Sequence, residues 1–294
     1  VIDKLEFLIA LAREQHFGRA AEACGVTQPT LSAGIKQLEE MLGVLLVQRG
    51  SRFLGFTPEG QRTLDWARRI VGDSRAMRQE IRALKEGLNG HLRIAAIPTA
   101  LAMVASLTTP YRKRHPDVSF TVYSRTSIEI LSLLDDLEID AGITYVDNEP
   151  LGRVRTVPLY REEYRLIAAA DTPLGNRDQV TWQEVGRIPL CLLTPDMQNR
   201  RIIDRYLRAA GCEPQPTLES NSVIVLFAHV RTGQWATVMP EKLAEALGLT
   251  ETIRTIPIMP LEDYPTVGLV VPYREPMTPL TGALVAEARR AASI

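Results

Sequence analysis

Between Phe17 and Arg52 the chain reads FGRAAEACGVTQPTLSAGIKQLEEMLGVLLVQRGSR. That stretch admits few folds besides a helix, a tight turn, a second helix and a basic loop. Ala20, Ala21 and Cys24 put small side chains at helical spacing, which lets two helices approach closely. Gly25 stands where a left-handed C-cap is needed, and Val26 is placed to fill the turn. Thr27 suits the next N-cap, with Pro29 in the first turn, where its missing N–H costs nothing. Over Gln28–Met41, Leu31, Ile35, Leu38 and Leu42 recur at three- and four-residue steps, so all four are expected inside. Upstream, Leu5, Phe7, Leu8, Leu11 and Ala12 make another apolar helix face.

Gln28, Thr30, Ser32, Ala33 and Lys36 fall off the buried face. Glutamine pairs with adenine, Ser and Thr serve bases or phosphates, and Lys36 suits a phosphate. For Gln28 alone a plain solvated face is the simpler reading. The capped turn, the small-residue packing, the polar helix start and the basic loop together point to a helix entering a DNA groove. After Gly43, VLLVQRGSRFLGFTPEG reads as two short strands around Arg49-Gly50-Ser51-Arg52, a wing. Arg52 is either a minor-groove finger at its tip or a solvated arginine. Residues 1–90 carry 13 Lys and Arg against 11 Asp and Glu, and the remainder 21 against 24. A slightly basic head on a slightly acidic body suits sequence-selective binding and excludes an indiscriminate phosphate coat.

Thr57-Pro58-Glu59 opens a long helix with no breaker pair before Gly87, Gly72 being its weak point. Leu64, Ala67, Val71, Ser74, Ile81, Leu84 and Leu88 suggest a narrow 3.5-residue seam, flanked by arginines. This is either a dimerisation coiled coil or a helix lying on the rest of the chain.

From Leu92 the pattern changes to strand–helix alternation: HLRIAAIPTA, a helix to Arg114, VSFTVYS, a helix from Thr126-Ser127 and a strand at Ile139–Tyr145. A second set follows, with strands at Arg165–Ala170, Pro189–Leu193, Leu218–Ser220 and Trp235–Met239, and helices at Ile202–Ala210 and Val223–Thr232. VGLVVPY and Leu280–Ala292 close the chain as a strand and a helix. Two such α/β lobes bind ligands at the carboxyl ends of their strands. Thr99 and Thr126-Ser127 sit at strand-to-helix turns, where N–H groups and hydroxyls favour an anion, although simple N-capping explains them equally well. A small anionic metabolite, a carboxylate held by amides and hydroxyls, is the expected ligand, with no cofactor.

Enzyme chemistry finds little footing. His16, His91, His115 and His229 lack metal-ligand spacing, and no nucleophile elbow or phosphate loop is present. Asp135, Asp136, Glu138 and Asp140 read as a solvated helix end. Cys24, Cys191 and Cys212 are odd in number and scattered, which suits a reducing cytoplasm and core packing. A redox switch between Cys191 and Cys212 has little to support it. Neither a membrane span nor a leader is expected, so no membrane partner.

The run AA-x-x-x-x-VTQPTLS-x-x-IKQLE-x-x-LG-x-x-L-x-x-R from Ala20 to Arg49 resembles the LysR-type transcriptional regulators, and the likeness continues through FTPEG, YRKRHPDV and the terminal lobes. It implies an α/β protein with a winged, mainly helical head. The division is a winged helix-turn-helix over 1–57, a linker helix over 58–88 and a periplasmic-binding-protein-like effector domain over 92–294. Lobe I spans about 92–162 and 268–294, lobe II about 163–267. The resemblance further implies an effector-responsive homotetramer, a dimer of dimers, on a promoter inverted repeat in contact with RNA polymerase. It assigns DNA contact to Gln28, Pro29, Thr30, Ser32 and Arg52, beside Lys36. It assigns one effector wall to Pro98, Thr99, Ala100, Thr126 and Ser127. The other wall takes Thr194, Pro195, Asp196, Met197, Gln198 and Asn199 together with Asn221 and Ser222. Leu46-Val47-Gln48-Arg49 departs from the Leu-Phe usual in the wing, and Cys191 and Cys212 do not match the cysteine pair of the peroxide-sensing branch. Rival readings are an architectural DNA-bending protein, or an enzyme using the two-lobed cleft.

Overall fold

The computed structural model describes residues 1–49, 53–147, 149–248, 252–259 and 264–292. They form two compact units, Val1–Leu88 with Asp135–Glu138 and Arg274–Pro279, and Asn89–Leu134 with Ile139–Tyr273 and Leu280–Ile294.

In the first unit, α1 (Ile2–Glu14), α2 (Phe17–Ala23) and α3 (Gln28–Leu42) precede a two-stranded wing, β1 (Val47–Arg49) and β2 (Phe53–Phe56), and a 29-residue α4 (Pro58–Glu86). The wing pairs Val47 with Phe56 and Arg49 with Phe53, and its tip, with Arg52, lies outside the described residues. His16 caps α2, its Nδ1 accepting from Gly18 N at 3.0 Å. Leu31, Ile35 and Leu38 are buried against Leu8 and Leu11, but Leu42 is 46% exposed, contrary to its spacing. Its side of the last turn yields to buried Glu39, whose carboxylate accepts from Leu46 N at 2.9 Å and Val47 N at 3.2 Å. These two bonds satisfy the N–H groups of Leu46 and of the first residue of β1 and tie α3 to the wing.

Helix α4 carries two apolar stripes. Leu64, Ala67 and Val71 are buried in the core of their own unit. Exposed Ile70, Met77, Ile81 and Leu84 form the second stripe. With Ser74 and Leu88 they step by four and three residues, the repeat of a coiled-coil seam. Of the seam expected through Leu64, Ala67, Val71, Ser74, Ile81, Leu84 and Leu88, the first three face the core of their own unit instead, and the remaining four fall in line with Ile70 and Met77. Gly72 leaves room for the Arg274 guanidinium, since a Cβ there would stand 1.6 Å from its Nη1. The acidic run is also not a solvated helix end. Asp136 accepts from Arg68 at 2.7 Å, Glu138 from Arg13, and Asp140 from Arg93 N at 2.8 Å.

In the second unit, lobe I is a five-stranded sheet in the order β4-β3-β5-β12-β6. Its strands are β3 (Gly90–Ala96), β4 (Val118–Ser124), β5 (Ala141–Tyr145), β6 (Val154–Arg161) and β12 (Thr266–Pro272). It carries α5 (Leu101–Arg114), α6 (Ser127–Asp135) and α11 (Pro279–Ala291). The strands β3, β4 and β5 run parallel because helices connect them, and β12 runs against β5 and β6.

Lobe II contains β7 (Tyr164–Ala169), β8 (Cys191–Leu193), β9 (Leu218–Ser220), β10 (Thr237–Pro240) and β11 (Ile253–Pro257). Its helices are α7 (Trp182–Val185), α8 (Gln198–Ala209), α9 (Val223–Val230) and α10 (Glu241–Ala246). A parallel bridge between Leu190 and Ala236 sets β8 beside β10. The order β9-β8-β10-β7-β11 then repeats that of lobe I. The chain crosses between lobes twice, and the crossings touch where Glu162 N donates to Pro265 O at 2.8 Å.

Gly60 begins α4 directly against the wing. A Cβ there would fall 1.9 Å from the Leu46 carbonyl oxygen. Glycine-to-alanine changes inside helices normally gain about 1 kcal/mol. Gly60→Ala should instead lose roughly 1–3 kcal/mol through overpacking, read as an earlier urea midpoint for the first unit.

Candidate functional site

Gln28, Pro29, Thr30, Ser32, Ala33 and Lys36 are all exposed on α3. Thr27 holds the helix start, with its Oγ1 accepting from Thr30 N at 3.4 Å and sharing a hydrogen bond with Thr30 Oγ1 at 2.8 Å. Thr30 therefore has a partner within the helix, whereas no side-chain bond is recorded for Gln28 or Ser32 among the described residues. Lys36 sits 3.8 Å from Glu40, an exposed pair worth little and easily exchanged for a phosphate. One helix start thus presents uncharged hydrogen-bonding groups with a cation one to two turns further on.

In the second unit the carboxyl ends of the strands in both lobes meet. Asn199, at the start of α8, donates from Nδ2 to the hydroxyls of Tyr145 at 3.1 Å and Tyr164 at 3.4 Å. Ala102, in the first turn of α5, packs on the lobe II core that holds Met197 and Leu226. Around this junction Thr99 Oγ1, Ser127 Oγ, Thr194 Oγ1 and Gln198 Nε2 are buried without a partner among the described residues. Such atoms cost free energy unless something completes their bonding. The starts of α5, α8 and α9 have no side-chain cap, which leaves backbone donors there.

The two residues at the start of α6 divide their roles. Thr126 is an N-cap, accepting from Glu129 N at 3.2 Å while Thr126 N donates to Glu129 Oε2 at 2.8 Å. Ser127 is the buried one. Pro98, Thr99 and Ala100 form a buried 3₁₀ turn. Met197 is part of the lobe II core, Ser222 precedes α9, and Pro195, Asp196 and Asn221 are exposed. The orphaned Gln198 amide is the most informative member of its segment, and periodicity gives no hint of it. Arg200, also buried, is committed to Asp204 at 2.7 Å, Leu193 O at 2.8 Å and Glu219 at 2.5 Å, so it is not offered to a ligand.

Cys191 is fully buried with its Sγ 3.6 Å from Leu226 O, and burial pushes its thiol up to about 11. Cys212 lies against Gln183 O at 3.7 Å, in different surroundings, and both are free thiols.

The model of the LysR substrate binding domain matches residues 85–293, and that of bacterial regulatory helix-turn-helix proteins of the lysR family matches residues 2–61. The DNA-binding transcriptional dual regulator OxyR of Escherichia coli is 30% identical over 293 residues, covering 99% of this chain and 95% of that protein. The hydrogen peroxide-inducible genes activator of Dickeya chrysanthemi is 29% identical over 282 residues, or 96% and 91% of the two chains. A full-length OxyR variant from Pseudomonas aeruginosa has a TM-score of 0.76 at 25% identity, covering 100% of this chain and 99% of that one. CbnR complexed with its target DNA shares the fold, with a TM-score of 0.62 at 20% identity over 99% and 100% of the two chains.

Proposed function

The chain belongs to the LysR family of transcriptional regulators, and from that premise we propose how this DNA-binding regulator reads its operator and its signal. Gln28, Pro29, Thr30 and Ser32 face base edges, and Lys36, with Arg52 on the wing, holds the phosphate backbone or minor groove. The observation that carries this reading is the exposure of Gln28, Pro29, Thr30, Ser32 and Lys36 on a helix whose Leu31, Ile35 and Leu38 are buried. Two heads pair through the α4 stripe from Ile70 to Leu88, and two-fold symmetry makes the operator an inverted repeat. Two such dimers in contact with RNA polymerase complete the assembly.

The effector is a small carboxylate seated between the lobes. Thr99, Ser127, Thr194 and Gln198 all have a hydrogen to donate, and a carboxylate supplies only acceptors. The uncapped starts of α8 and α9 favour the same charge. Pro98, Ala100, Thr126, Pro195, Met197, Asn199, Asn221 and Ser222 complete the walls. A response to hydrogen peroxide, which the names of relatives carry, has less support here. It calls for an accessible thiolate with a second cysteine beside it; Cys191 is buried with a raised pKa, and half-buried Cys212 lies against Gln183 O in other surroundings.

Gln28→Ala should lose about 1–3 kcal/mol of discrimination between operator and random DNA, whereas Lys36→Ala should weaken both alike and flatten the salt dependence. Fluorescence anisotropy on the two DNAs decides, and equal losses for Gln28→Ala would contradict base reading. Ile81→Glu should weaken dimers by on the order of 2 kcal/mol or more, seen by analytical ultracentrifugation, while the monomer stays folded. In a thermal-shift screen, acetate and succinate should raise the Tm, and Gln198→Leu should abolish the rise. Stabilisation by hydrophobic aromatics alone would end the carboxylate reading.

A further inference from the structure

A buried acid sits where the chain crosses between lobes, and neither DNA reading nor effector seating uses it. Glu162 is 1% exposed and lies between β6 and β7. Tyr145, at the end of β5 in lobe I, donates its hydroxyl to Glu162 Oε2. Tyr164, at the start of β7 in lobe II, donates to the same oxygen at 2.9 Å. Asn199 stands behind both hydroxyls, and Glu162 N holds Pro265 on the return crossing. Glu162 Oε1 is buried without a partner among the described residues.

We propose that Glu162, Tyr145, Tyr164 and Asn199 form an acid latch that holds the two lobes together while the carboxyl is protonated and slackens when it ionises. The groups facing the carboxyl from β5, β7 and α8 are Tyr145, Tyr164 and Asn199. Tyr160, on β6, has a buried hydroxyl without a partner, and Lys242 from α10 lies over its ring at 5.1 Å. Trp182 and Tyr206 enclose Tyr164 at 6.2 and 5.8 Å between ring centres. No ammonium or guanidinium pairs with Glu162 among the described residues. An ionised Glu162 would therefore be a buried charge with no cation beside it among the described residues, and admitting water by parting the lobes is the cheapest relief. Burial pushes the Glu162 carboxyl up to about 7, although bonds from Tyr145, Tyr164 and Asn199 pull the other way.

The sign follows from proton linkage. The folded chain keeps this proton at pH values where the unfolded chain has released it. Stability from the latch is complete below the ordinary value of 4.5 and is lost as pH rises through about 7. Asn199 adjoins Gln198 in the proposed effector wall, so an effector there would bias the same latch. This coupling alone rests on the effector reading.

Hydrogen-exchange mass spectrometry on the ligand-free full chain tests the latch at pH 6 and pH 8, corrected for intrinsic rates. Peptides over 142–147 and 157–166 should be protected at pH 6 and exchange severalfold faster at pH 8. Glu162→Gln, which mimics the neutral acid, should stay protected at both, and Glu162→Ala at neither. Infrared spectra of the wild type should show a protonated carboxyl band that fades through neutral pH. Exchange independent of pH, a pH response surviving in Glu162→Gln, or no such band would overturn the latch. Failure of the effector reading would show separately, in the carboxylate screen.

Discussion

Two segments of the second unit must pass side by side from one lobe to the other, joined by the backbone bond from Glu162 to Pro265. Everything in the cleft depends on that double crossing. It brings the end of β5, the start of β7 and the start of α8 to one place, although they are far apart in sequence. Parallel strands feeding helices then turn their carboxyl ends toward the junction, so hydroxyls and helix starts from both lobes gather there without any contiguous motif. The same crossing buries Glu162 with no cation bonded to its carboxylate among the described residues. A constraint of chain path thereby becomes a constraint of electrostatics.

The head follows a different logic. Helix α3 is fixed from behind by Leu31, Ile35 and Leu38 and at its end by Glu39, while Gln28 and Ser32 on its front are exposed. Glu39 is the joint between reading helix and wing, accepting from the N–H groups of Leu46 and Val47, which would otherwise be buried without partners. Gly60 makes the next contact possible by letting α4 start against the Leu46 carbonyl. Helix, wing and linker are thus set by two close approaches, one needing Glu39 and the other Gly60.

The sequence was most legible where one physical signal acted alone. Capping and periodicity located α3, and strand–helix alternation located most of the body. Legibility failed where signals overlapped. Helix α4 buries one apolar stripe at home and shows another outside, so the two merge into one blended repeat in which Val71 and Ile70 compete for the seam. Charges and Pro158 interrupt β6 and hide it from the strand–helix alternation, and its place at the sheet edge is what tolerates the proline. The short edge strand β11 was missed as well. In the cleft, Ser127 and Thr126 look alike as residues, and only the bond from Glu129 separates them. Glu162 and Glu163 are adjacent and chemically identical, and no local pattern tells which the crossing will bury.

The exposure of Gln28, Thr30 and Ser32 has a consequence for how such a protein changes over generations. None of the three supports the hydrophobic interior, so under the base-reading role proposed above, replacing Gln28 or Ser32 alters which promoter is addressed at little cost in stability. After gene duplication, a copy could acquire a new set of targets through a few substitutions on one helix turn, with its signal-sensing half inherited intact.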